Sequence, residues 1–102
     1  MDANLLIIKE TVHKVFPECQ VLLFGSRARQ EHTTDSDYDI LVLISREMKP
    51  LEKMPYRASI RKMLLQKGIF SDILLQSYSE AEVKKEIPGH IIRSAILEGS
   101  LL

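Results

Sequence analysis

Two stretches of this chain carry side chains whose type and spacing suit chemistry. The first is Asp35-Ser36-Asp37-Tyr38-Asp39, which runs without a break into Ile40-Leu41-Val42-Leu43-Ile44. Side chains alternate along a strand, so Asp37 and Asp39 point the same way, with Cα atoms roughly 6–7 Å apart. Two like charges so placed repel, and a divalent cation is the natural counter-charge. A solvated acidic loop is the plainer account of the same residues. A calcium loop fails, because its sharp-turn glycine position holds Ile40 and its bidentate glutamate position holds Arg46.

The second stretch is Phe24-Gly25-Ser26-Arg27-Ala28-Arg29. Gly25 has no side chain and lets a ligand approach the backbone closely. Ser26 opens a short helical segment whose first amides lack internal partners, which with the Ser26 hydroxyl makes an anion site. Arg27 and Arg29 add positive charge. No Gly-Lys-Ser/Thr follows, so this is not a Walker loop. Taken alone, a glycine turn with a capping serine explains it equally. A third acid, Asp72, interrupts the apolar run Ile69–Leu75, where a carboxylate is costly to bury unless paired or metal-bound. If its strand neighbours that of Asp39, three carboxylates meet beside Gly25-Ser26. That is a layout for metal-assisted phosphoryl or nucleotidyl transfer. An edge-strand surface residue is the alternative for Asp72.

Positioning these groups falls to a regular alternation of elements. Residues 4–16 form an amphipathic helix capped by Asp2 or Asn4 and stopped by Pro17. Val21–Phe24 is a buried strand ending at Gly25, and residues 31–36 are irregular. The uninterrupted run in 39–45 is a central strand covered on both faces. Residues 46–53 form a charged loop, and a helix follows Pro55 and reaches Lys67. Ile69–Gln76 is a third strand. Ser79-Glu80-Ala81-Glu82 reads as a capping box for a short helix. Pro88 sits in the first turn of a last helix with Ile91, Ile92, Ala95 and Ile96 on its apolar side. Strands alternating with helices give an α/β fold.

The chain has 102 residues, expected as a single domain over 1–102. Fourteen Lys and Arg balance fourteen Asp and Glu, which argues against a protein that coats nucleic acid. The single cysteine, Cys19, excludes an internal disulfide and a cysteine zinc site. Apolar runs are too short to cross a bilayer and no basic leader precedes a cleavage site, so a soluble cytoplasmic protein is expected.

Gly25-Ser26-Arg27-Ala28-Arg29, a polar spacer, then Ser36-Asp37-Tyr38-Asp39-Ile40-Leu41-Val42 together resemble the signature of the minimal nucleotidyltransferases (MNT) of the DNA polymerase β-like superfamily. The resemblance implies a small mixed β-sheet flanked by helices. It implies that Asp37, Asp39 and Asp72 bind magnesium, with two ions expected, and that Gly25 and Ser26 contact a nucleoside triphosphate such as ATP. Where this family commonly has a small residue, often glycine, after the Arg-Ala-Arg stretch, the chain has Gln30. With so short a chain no separate substrate-binding domain is expected, and the acceptor is expected to be brought by another protein. Similar proteins are often paired with a HEPN-type toxin and act as its antitoxin, transferring AMP to a toxin tyrosine; the same is expected here. The alternative is a catalytically silent module that neutralises its partner by occlusion. The apolar C-terminal segment, Ile91-Ile92 to Leu101-Leu102, serves either as core cover or as part of an interface.

Overall fold

Every helix start but that of the single turn after Phe24 is set by a side chain that satisfies orphan amides. A computed structural model describes residues 2–102. In it Asp2 accepts a hydrogen bond from the Asn4 N–H at 2.9 Å and caps α1, Ala3–Val15. The first strand, β1, spans Cys19–Phe24, and a single helical turn, α2, spans Gly25–Ala28. The strand β2 covers Tyr38–Ile44.

The next helix, α3, runs Pro50–Leu65, so it starts before the position expected from Pro55. Pro50 sits in the first turn, where its missing N–H costs nothing, and Glu52 reaches back to the Lys49 N–H at 3.0 Å. Pro55 lies inside the helix. Residues 50–53, expected as loop, are therefore helical.

Strand β3 spans Ser71–Ser77 and α4 spans Tyr78–Lys84. The cap of α4 is Ser77 with Glu80, two residues earlier than the Ser79 and Glu82 expected from sequence. Ser77 accepts from the Glu80 N–H at 3.1 Å, and Glu80 accepts from the Ser77 N–H at 2.9 Å. The last helix, α5, is Ile91–Glu98, capped by His90 rather than opened by Pro88. Ile92 and Ala95 of α5 are buried, whereas Ile91 is exposed. A two-residue strand, β4 (Ser100–Leu101), had no sequence signal.

The four strands form one mixed sheet in the order β3-β2-β1-β4. β1 is antiparallel to β2 and β4, while β2 and β3 are parallel. β2 is thus internal, and alternate residues feed two cores. Tyr38, Ile40, Val42 and Ile44 pack on one face with Ile8 and Val12 of α1 and Ile60 and Leu64 of α3. Leu41 and Leu43 pack on the other with Ala81 of α4 and Ile92 and Ala95 of α5. Both faces of β2 are covered from Ile40 to Ile44, which is why that run is continuously apolar. Among the described residues no helix is long and apolar enough to cross a membrane.

Candidate active site

The site lies on the α4/α5 side of the sheet, at the end where β1 finishes and β2 and β3 begin. In the strand register Asp39 is paired with Phe24 of β1 on one side and with Asp72 of β3 on the other. Paired residues of adjacent strands point to the same face, so the Asp39 and Asp72 side chains stand abreast. Asp37 lies just before β2, near enough that its charge acts on Asp39, and Tyr38 points into the opposite core. Asp39 is half-buried, while Asp37 and Asp72 are exposed. Burial pushes the Asp39 carboxyl above its ordinary value of 3.8, and the negative charges of Asp72 and Asp37 push it further. Arg29 pulls the other way and Glu98 adds to the repulsion.

Gly25 closes the site from the β1 side. Its φ is +72°, in the left-handed region that side chains disfavour. A Cβ built there would also run into the Asp39 carboxylate, with Asp39 Cγ at 2.9 Å. The turn after it is tied by the Arg29 and Glu31 amides, which donate to the Gly25 and Ser26 carbonyls at 3.1 and 2.9 Å. Ser26 is half-buried beside it.

The two arginines part company. Arg29 Nη1 donates to Glu98 at 3.0 Å and its Nε to Glu31 at 3.0 Å, on the carboxylate side. Arg27 lies against the other face: its guanidinium stacks on the Tyr38 ring at 3.9 Å, and its Nε donates to the Ser36 carbonyl at 2.9 Å. Arg27 also stands 3.8 Å from Asp2. It braces the loop between the two motifs instead of facing the acids.

Glu98, the last residue of α5, is the member of this site that sequence reasoning missed. Its Oε1 accepts from the Gly25 N–H at 3.4 Å and from Arg29. The residue is 73 positions from Gly25, and no local pattern announces the contact. Only its place just before Gly99, at the end of the last helix, marked it.

All three aspartates are hard oxygen donors, the type that suits magnesium. Among the described residues, no three His, Cys, Asp or Glu side chains are gathered closely enough to hold one ion. The charges of Asp72 and Asp37 raise the Asp39 carboxyl, a repulsion that a bound cation would relieve. The donor set and its repulsion fit a divalent cation.

Residues 7–101 match the family described as polymerase beta, nucleotidyltransferase. The chain belongs to this family. Its four-stranded mixed sheet between helix layers is the polymerase β-like nucleotidyltransferase fold expected from the sequence. A crystal structure of a mutant MntA–HpeT toxin–antitoxin contains a chain of similar fold, with a TM-score of 0.58 and 15% sequence identity. That likeness covers 99% of this chain and 71% of the other. At such identity it speaks for the fold alone. No curated protein matches the sequence.

Proposed function

We propose that this nucleotidyltransferase-family chain transfers AMP from ATP to a hydroxyl, with a tyrosine of a HEPN-type toxin as acceptor, and acts as the antitoxin of that toxin. The observation that carries the reading is the pairing of Asp39 with Asp72 beside the side-chain-free backbone of Gly25. The mutant MntA–HpeT structure adds support to the pairing with a toxin. Its aspartate-to-glutamate changes fall two positions apart, the spacing of Asp37 and Asp39 here.

In this reading the Gly25 N–H and the Ser26 hydroxyl donate to phosphate oxygens, and Arg29 supplies the positive charge that Arg27, held on Tyr38, does not. Asp37, Asp39 and Asp72 would hold magnesium, which when bound neutralises charge on the phosphates and the leaving pyrophosphate. Asp72, the more exposed of the paired acids, orients the acceptor hydroxyl and takes its proton. The hydroxyl oxygen then bonds to the α-phosphorus, the bond from that phosphorus to the bridging oxygen breaks, and pyrophosphate leaves. Positioning and electrostatics carry most of the acceleration.

The test is a mass measurement on a HEPN-type partner incubated with this chain, ATP and magnesium. An AMP-sized increment on the partner, lost with Asp37→Asn/Asp39→Asn, is the expected result. Neutralisation that persists in that double variant without any increment means occlusion and overturns the transfer.

A further inference from the structure

Glu98 takes no part in the chemistry just described, yet it engages two donors of the site, Gly25 and Arg29. One carboxylate oxygen, Oε1, faces both the Gly25 N–H and the Arg29 guanidinium, two donors from a distant part of the chain. It also places a further negative charge near Asp39, where it adds to the repulsion from Asp72 and Asp37. A carboxylate gains nothing from those neighbours. What it gains is the pair of donors.

We propose that Glu98 is an internal stand-in for a substrate phosphate: its carboxylate engages the donors that a polyphosphate must take, so binding displaces it and Glu98 sets the affinity for the nucleotide. The inference rests on the nucleotidyltransferase reading of the site. The contact is built to yield. Its bond to Gly25 is long at 3.4 Å, and its ion pair with Arg29 is part-exposed, with side chains 33% and 44% accessible. Ion pairs this wet are weak. Glu98 is also the terminal residue of α5, whose anchors Ile92 and Ala95 stay buried when only the last side chain swings. A triphosphate brings several charges against one and offers Arg29 a stronger acceptor.

The experiment measures binding of inorganic tripolyphosphate, in a fixed excess of magnesium, to the wild-type chain, Glu98→Gln and Glu98→Ala. The glutamine keeps the size and one acceptor while removing the charge, and thermal melts establish that each variant is folded. Both variants are expected to bind about three- to tenfold more tightly than wild type, as loss of a competing exposed ion pair and of a nearby like charge implies. The gain shrinks at high salt. Unchanged or weaker binding in the folded glutamine variant overturns the proposal, and weaker binding marks Glu98 as a ligand instead. If none of the three proteins binds tripolyphosphate or ATP, the nucleotidyltransferase reading falls and takes this one with it; equal binding by all three removes only the role of Glu98.

Discussion

The Gly25 backbone and the Asp39 carboxylate are in such close approach that a methyl group at Gly25 has no room. Asp39 Cγ lies 2.9 Å and Asp39 Cβ 3.2 Å from where that carbon would stand, and the φ of +72° is unfavourable for any side chain. Gly25→Ala therefore combines backbone strain with a clash, and is expected to cost about 2–4 kcal/mol of stability. The two contributions separate in a double-mutant cycle. In an Asp39→Ala background the carboxylate is gone, and the cost of Gly25→Ala falls towards the backbone share of about 1–2 kcal/mol. Denaturant melts of the four proteins measure this; an equal cost in both backgrounds would show that the carboxylate is not what the methyl meets.

Asp39 is destabilising in its ionised form. Its carboxyl titrates above 3.8 because of burial and then the charges of Asp72 and Asp37. The native state therefore holds the proton more tightly than the unfolded chain, and stability falls as pH rises from 3.8 through the raised native value. Asp39→Asn removes that penalty. It should stabilise the protein at neutral pH by up to about 1 kcal/mol, because solvent screens much of the repulsion. The gain should vanish below pH 3.8, where both forms are neutral. Magnesium should raise the melting temperature of the wild type and not of Asp39→Asn. Melts across pH, with and without magnesium, check both statements.

What could be read in advance followed from local rules, and what could not came from contacts between distant residues. The Ile40–Ile44 run of β2 was legible because residues buried on both faces of a strand are apolar, and the phase of Tyr38 and Asp39 came with it. The parallel pairing that sets Asp72 beside Asp39 was only a condition, since sequence does not state which strands are neighbours. The cap of α4 was ambiguous: Ser77 with Glu80 and Ser79 with Glu82 fit the same pattern. Lys53 breaks the tie, because its buried ammonium bonds both Glu80 oxygens from α3. The division of labour between Arg27 and Arg29 depends on Tyr38 and Glu98, and Glu98 itself comes from the far end of the chain.

The Lys53–Glu80 pair locks α3 to α4 and has its own pH signature. Burial pushes the Glu80 carboxyl up, but hydrogen bonds from Lys53 and the Ser77 N–H outweigh it and hold the group below 4.5. Its stabilisation is therefore present above pH 4.5 and lost as pH falls through the lower native value. Glu80→Gln keeps an acceptor for the Ser77 N–H and removes the charge facing Lys53. The expected loss is about 1–2 kcal/mol at neutral pH, since Lys53 is buried and left without its counter-charge. The gap between variant and wild type should close as the solution is acidified below pH 4.5, so a constant gap down to strongly acid pH would exclude the ion pair as its source.

Gln30 holds a conformation suited to glycine. Its φ is +58°, and it is the only residue other than glycine with a positive φ among the described residues. It follows α2 and turns the chain into the polar spacer, with its amide donating to the Arg27 carbonyl at 3.4 Å. A left-handed side-chain residue costs about 1–2 kcal/mol, against the smaller entropic cost of a glycine in the unfolded chain. Gln30→Gly should therefore stabilise the protein by about 0.5–1 kcal/mol. Gln30→Val, whose branched Cβ tolerates that backbone least, should destabilise it. Because the side chain is exposed and lies outside the carboxylate face, the stability difference between the two variants reports backbone strain alone. Thermal unfolding of the pair measures it, and equal stabilities would show that the turn relaxes to a negative φ at no cost.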